Sequence, residues 1–263
     1  LGYHVWGDLV RVLERRTLTE IIGGDGRPSA ASDLCYARLE HGYPNDLLAA
    51  IHARSLQIRQ TSHPKQQEFL GLDHLRRVQN LIPHVAELVH DPHRLERLSA
   101  VAGIELEPYP ISTSCSGVNF YWPGQEPIEF HSDGPAFVEL VPVHVDGSQH
   151  GGSTVLFRGP VDVGLARLRG DGRLAGDELT RIPQRVGSSV LLQGRMVLHT
   201  AEMLSDGHRV TLVMSLRSKT EPWKDSNTLS RLLMDDRPED VTTDWLTDVD
   251  TRQLPALRSF LFS

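Results

Sequence analysis

The feature that most limits what this chain can fold into is a change of hydrophobic period near residue 104. Before it, apolar residues recur at helical spacing. Val5, Leu9, Val12 and Leu13 read as one helix, and Asn45 reads as the cap of a second that runs through Leu48, Ile51, Ser55 and Ile58. A third is expected from about Lys65 to Val89 with an interruption at Pro83, and a fourth starts at Pro92, where proline suits the first turn, and stops at Gly103. From Ile104 to Leu216 the chain breaks instead into short runs rich in Val, Thr, Phe and Tyr, separated by Gly, Pro, Asp and Ser. Strands are expected near 105–109, 111–121, 128–130, 137–145, 153–157, 190–193, 196–199 and 210–217. That many short strands with such punctuation predict two facing sheets open at one end, a mainly β fold with helices of the double-stranded β-helix (jelly-roll, cupin-like) type. The expected layout is a single domain over 1–263. It has a mostly helical support over 1–103, a jelly-roll core over 104–217 and a helical tail over 218–263. In the tail Trp245, Leu246, Leu254, Leu257 and Phe260 offer apolar contacts to the barrel or to a second subunit. The Gly/Arg/Asp-rich stretch 159–185 reads as a flexible hairpin rather than a lid.

Composition narrows the classes of partner. The net charge of -7, with no Lys/Arg cluster of useful length, argues against nucleic acid and for a small-molecule substrate. Cys35 and Cys115 show neither CxxC nor zinc-finger spacing, so both are expected to be reduced and structural. No apolar run approaches the length of a membrane span, and a cytoplasmic monomer or homodimer is expected.

The chemistry concentrates in GluPheHisSerAsp, residues 129–133. His131 and Asp133 lie two apart, so on an extended segment both project to one side and can share an ion. His199, ending the run MetValLeuHis, is the expected third ligand. Two neutral imidazoles and one carboxylate on one face of an octahedron form the set that suits non-haem Fe(II), with the remaining positions open to a chelating 2-oxoacid and O₂. HxD alone is weak, since 13 His and 34 acidic residues generate about two such pairs by chance. A second copy, His144-Val145-Asp146, does occur. The first is favoured because one strand separates it from GlyGlySerThrValLeuPheArg (151–158), whereas ligands at His144 would leave too little chain for that strand. Ten residues after His199, Arg209 opens the last strand and is placed to pair with the distal carboxylate of 2-oxoglutarate, with Thr211 on the same face as a further donor.

Taken together, HisSerAsp, GlyGlySerThrValLeuPhe, SerSerValLeuLeuGlnGlyArgMetValLeuHisThrAla and Arg209 resemble the Fe(II)/2-oxoglutarate-dependent dioxygenase superfamily, over roughly 118–217. The GlyArg-x-x-x-His segment is more distantly similar to the group with free amino-acid hydroxylases and halogenases. The resemblance implies that His131, Asp133 and His199 hold Fe(II) and that Arg209 holds the co-substrate 2-oxoglutarate. Because Asp133 stands where halogenases carry Gly or Ala, it implies hydroxylation, oxidative cyclisation or desaturation of a small molecule, such as a free amino acid or an amino-bearing natural-product (antibiotic) intermediate. Asn119 is a candidate for 2-oxoglutarate or substrate, and Glu129, Tyr121, Trp122 and Arg195 are candidate substrate contacts. Two alternatives remain open at this point: a cupin-type metal hydrolase or isomerase using the same ligands, and a non-catalytic jelly-roll binding module.

Overall fold

A computed structural model of the protein describes residues 11–26, 28–62, 68–69, 72–126, 128–146 and 150–262. In chain order its strands are β1 (Arg11–Thr17), β2 (Leu34–Glu40), β3 (Glu68–Phe69), β4 (Leu72–Arg76), β5 (Leu106–Pro108), β6 (Ser116–Tyr121) and β7 (Phe137–Val145). They continue with β8 (His150–Gly151), β9 (Thr154–Phe157), β10 (Leu179–Ile182), β11 (Ser188–Leu192), β12 (His199–Ala201), β13 (Leu204–Asp206) and β14 (Arg209–Ser218). The helices are α1 (Leu18–Ile22), α2 (Asn45–Thr61), α3 (Pro83–His90), α4 (Pro92–Ala102), α5 (Ser112–Cys115), α6 (Val161–Asp171), α7 (Leu229–Asp235), α8 (Pro238–Asp248) and α9 (Leu254–Leu261).

The major sheet runs β1-β2-β11-β7-β14-β6-β4-β3, with β5 against the end of β14, and the minor sheet runs β10-β9-β12. Every pairing given for these strands is antiparallel, which lets one face of each sheet turn inward and the other meet helices. Leu156 and Ile182 of the minor sheet pack against Val138, Val190 and Leu192 of the major one, forming the inter-sheet core. On the outer face of the major sheet, Leu48 and Ile51 of α2 and Val85, Leu88 and Val89 of α3 bury Val118, Phe120, Val141, Val210, Leu212 and Met214. The alternation along β14, with Val210, Leu212 and Met214 outward and Thr211, Val213 and Ser215 inward, is the period-2 signal read from the sequence. This is the jelly-roll, cupin-like architecture, mainly β with helices.

Several elements depart from the sequence expectation. Within the segment read as helical, β1, β2 and β4 supply strands to the major sheet. Val12 and Leu13 lie in β1 and are largely exposed, because β1 is an edge strand held by its pairing to β2 rather than by an apolar stripe. Val5, Leu9 and Lys65, also assigned to helices, lie outside the described residues. Asn45 is the first residue of α2, not its cap, and Pro44 precedes it without a side-chain cap. The fourth helix is as expected: Asp91 caps it at the amide of His93 (2.9 Å), Pro92 opens it and Gly103 ends it at φ +73°. The segment 111–121 begins with α5 before β6, and 128–130 is not a strand. Residues 194–196 form a turn of 3₁₀-helix, so β12 starts at His199 itself. The stretch 159–185 is an ordered connection, with α6 followed by β10 on the edge of β9, where Gly164 lets α6 approach Leu198 and Phe157 too closely for any side chain. In the tail Trp245 packs beside Tyr109, Ile111, Leu232 and Val241, whereas Leu246, Leu254, Leu257 and Phe260 stay exposed. Both cysteines are buried and free. No helix among the described residues is long and apolar enough to cross a membrane.

Candidate metal centre

His131 and His199 face each other across the mouth through a two-way backbone bridge, each amide donating to the other's carbonyl at 2.9 and 2.8 Å. The bridge sets their rings 4.4 Å apart at 49°. Asp133 reaches both: Oδ1 lies 3.6 Å from Nε2 of His131, and Oδ2 lies 3.6 Å from Nε2 of His199. One ligand atom from each residue falls within 4.8 Å of the others, so a single ion can meet all three. Each Nδ1 is engaged by backbone, that of His131 by the Glu129 carbonyl (2.8 Å) and that of His199 by the Val197 carbonyl (3.1 Å). These contacts put the proton on Nδ1 and leave both Nε2 lone pairs directed at the shared point, the usual outer support of a metal-bound imidazole. Burial, and then the neighbouring His199, push the His131 pKa down, favouring the neutral ligand form. Oδ2 of Asp133 is buried without a hydrogen-bond partner, a costly arrangement that a cation relieves.

The carboxylate is held by its surroundings. The Asp133 amide donates to the Gly194 carbonyl (3.1 Å), and a Cβ on Gly194 would fall 1.9 Å from Asp133 Oδ2. Residues of the C-terminal tail wrap the other side. Ser226 donates through its amide to Gly134 O (2.9 Å) and through its hydroxyl to Asp133 O (3.2 Å), while Arg231 donates to Ser132 O (3.3 Å). Sequence reasoning missed these supports. Gly134, next to the motif, was the one available signal, since a Cβ there would strike the Asn227 side chain at 1.9 Å.

Arg209, which opens β14, is buried. Its guanidinium lies 4.1 Å from the Tyr121 ring, its Nη1 donates to the Gly152 carbonyl, and its Nε is buried without a partner. It is one of three arginines among the largest fully buried side chains. Arg94 is neutralised by Glu139 at 2.7 Å, and Arg217 by Asp248 at 2.5 Å and Glu107 at 2.9 Å. Arg209 has no carboxylate among the described residues, and burial pulls its pKa down. A dehydrated, uncompensated guanidinium is a site for an incoming anion. Thr211 shares its face, and its Oγ1 is also buried without a partner. Directly across from Thr211, Asn119 donates to the Tyr121 hydroxyl (3.1 Å) and meets the His74 ring.

A cavity of about 270 Å³ adjoins the motif, lined among others by His131, Asp133, Asn119, His74, Arg231 and Ser215. Of the proposed substrate contacts, Tyr121 stacks beneath Arg209, while Arg195 sits beside Gly194 with Nη1 buried and unpaired. Trp122 is a correction. Being one residue out of phase with Tyr121, it faces the helix side, where Nε1 donates to Asp73 (3.1 Å) and the ring stacks on His208. The Glu129 side chain is exposed and does not line the cavity; its backbone carbonyl, which orients His131, is what reaches the site. The competing pair His144-Val145-Asp146 lies elsewhere. A bulge in β7 pairs Pro142 with Thr211 but His144 with Val210, which carries His144 to the outer, helix-covered face.

No protein-family model and no curated protein sequence matches the chain. Solved structures do. SnoK, a non-haem α-ketoglutarate-dependent carbocyclase from nogalamycin biosynthesis, superposes with a TM-score of 0.52 at 15% identity, over 70% of this chain and 80% of its own. HygX from Streptomyces hygroscopicus, with nickel and 2-oxoglutarate bound, gives 0.52 at 12% identity over 71% and 83%. The fold is that of the Fe(II)/2-oxoglutarate oxygenases. AviO1 from Streptomyces viridochromogenes Tue57 shares it with a TM-score of 0.52 at 19% identity, over 70% of this chain and 90% of its own. At such identities the oxygenase fold is what is held in common, and the chemistry has to be argued from the residues of this chain.

Proposed function

We propose that the protein is an Fe(II)/2-oxoglutarate-dependent oxygenase acting on a small molecule. His131, Asp133 and His199 would hold the metal, and Arg209 the distal carboxylate of 2-oxoglutarate, with Thr211 adding a hydroxyl donor and Asn119 facing the adjoining cavity. The observation that carries this reading is the pairing of a converged His/Asp/His set with a buried guanidinium that lacks a counter-charge. A hydrolase or isomerase built on the same ligands has no use for such a cation. When bound, Fe(II) with 2-oxoglutarate and O₂ supplies a two-electron oxidation of the substrate, with 2-oxoglutarate leaving as succinate and CO₂. The chain's residues do the rest: carbonyls 129 and 197 fix the imidazole tautomers, Gly194 leaves room for the carboxylate, and the cavity selects what comes near.

The outcome is proposed as hydroxylation, cyclisation or desaturation of a free amino acid or an amino-bearing natural-product intermediate. SnoK, from nogalamycin biosynthesis, supports a natural-product setting, and the cavity lining includes Asp235, which can meet an amine, whereas Asp236 is paired with Arg76 at 2.7 Å. Succinate release from 2-oxoglutarate with Fe(II), measured across a small-metabolite library with mass-spectrometric detection of one added oxygen or two lost hydrogens, tests the whole reading. His131→Ala is expected to abolish it. Absence of 2-oxoglutarate binding and turnover under all conditions would overturn it.

A further inference from the structure

The histidines that lost the contest for the catalytic metal have converged on one another. His144 at the end of β7, His208 in the turn before β14 and His52 on α2 form a column on the outer face of the major sheet, with ring centroids 4.2 Å (His52 to His144) and 4.5 Å (His144 to His208) apart. One ring nitrogen from each lies within 4.8 Å of the others. We propose that His52, His144 and His208 form a second metal site, separate from the candidate catalytic one, for a late first-row divalent cation such as Zn²⁺, Ni²⁺ or Cu²⁺.

Three features of the column point to an ion rather than to packing alone. The Nε2 atoms of His52 and His144 are both buried with no hydrogen-bond partner, although an imidazole nitrogen stranded in this way is costly. The third ring is supported as a ligand would be: Asp146 Oδ2 lies 3.0 Å from His208 Nδ1, which holds the proton there and leaves Nε2 with a free lone pair. All three rings are half-buried, so an ion can enter from solvent. Three imidazoles without a thiolate suit Zn²⁺, Ni²⁺ or Cu²⁺ and not Mg²⁺ or Ca²⁺, which require oxygen. Tetrahedral binding at about 2.0–2.1 Å brings ligand nitrogens to about 3.3 Å from one another, so the rings, stacked at 14° and 28°, must turn about their side-chain bonds to bring their nitrogen edges together on an ion. Trp122, stacked on His208 at 5.4 Å, closes one end of the column. An ion here would tie α2 to β7 and to the residue preceding Arg209, stiffening the strand that carries the anion-binding guanidinium.

The test is a Zn²⁺ titration of the metal-free chain in competition with a chromophoric chelator. Two equivalents are expected for the wild type, one for His52→Ala/His144→Ala, one for His131→Ala/His199→Ala, and none for the four substitutions combined. The equivalent retained at His131, Asp133 and His199 reports that the outer-site variant is folded. Asp146→Asn, which keeps all three rings, is expected to weaken the outer equivalent by about 10–100-fold. One equivalent in the wild type that persists in His52→Ala/His144→Ala, or two in that variant, would overturn the proposal without bearing on the oxygenase reading; one equivalent lost in that variant and kept in His131→Ala/His199→Ala would support the outer site and count against the triad.

Discussion

Replacing Arg209 with methionine separates a guanidinium that serves the fold from one that serves a ligand. Arg209 is 2% exposed, contacts only neutral partners among the described residues and has a buried Nε without a partner there, whereas the equally buried Arg94 and Arg217 are paired with carboxylates. Truncating one member of a buried, hydrogen-bonded charge pair costs about 2–5 kcal/mol, so Arg209→Met should weaken 2-oxoglutarate by about 30- to 5,000-fold. Calorimetry with Mn²⁺ in place of iron reads this directly. Thermal unfolding reads it a second way: 2-oxoglutarate at a hundred times its dissociation constant stabilises by about 2.7 kcal/mol, or about 5–10 °C for a chain of this size. The variant at the same concentration should gain at most about 0.9 kcal/mol, or about 2–3 °C. Without ligand, the stability of Arg209→Met should stay within about 1 kcal/mol of wild type, because no carboxylate is stranded. Glu139→Gln, which strands Arg94, should lose about 3–5 kcal/mol. If Arg209→Met binds 2-oxoglutarate within threefold of wild type, or destabilises the free protein as much as Glu139→Gln does, the guanidinium is structural and the anion site is wrong.

Gly194→Ala places a methyl where Asp133 Oδ2 now lies, and should weaken Mn²⁺ binding by at least about tenfold while leaving the far-ultraviolet circular dichroism unchanged; unaltered metal affinity would remove Gly194 from the site's design. His41 should make the fold acid-sensitive. Burial lowers its pKa to about 4, its Nδ1 accepts from the Tyr43 amide (2.9 Å) and its Nε2 is buried without a partner. Since the unfolded chain binds the proton more readily, this contribution is complete above about pH 6.5 and is lost as pH falls through about 4. Between pH 7 and pH 5 the loss should be about 2 kcal/mol, and denaturant unfolding of His41→Gln should show a dependence shallower by that amount. Gly164→Val should lower the melting temperature by several degrees, because α6 cannot retreat from Leu198 and Phe157 without leaving β9; an unchanged melting curve would show that the α6 connection is loosely docked.

The sequence by itself determined the features that depend on period and spacing. Alternation from residue 104 onward announced the facing sheets, and Pro92 with Gly103 bounded a helix because those residues act through their own backbones. The two-residue spacing of His131 and Asp133 put them on one side whatever lay around them. Strands β1, β2 and β4 were not legible, since an edge strand such as β1 is stabilised by a partner distant in sequence and carries no apolar stripe of its own.

The tertiary structure decided the rest. Spacing to the 151–158 strand favoured His131-Ser132-Asp133 over His144-Val145-Asp146, but the fate of the second pair was not legible: the bulge in β7 turns His144 away from the interior to meet His52 and His208. The same parity sends Trp122 outward and Tyr121 beneath Arg209. That Gly194 makes room for a carboxylate 61 positions earlier, and that Arg209 among three buried arginines has no counter-charge among the described residues, are facts of packing. A charge shows in the sequence, but whether it is compensated is fixed only when distant segments close around it.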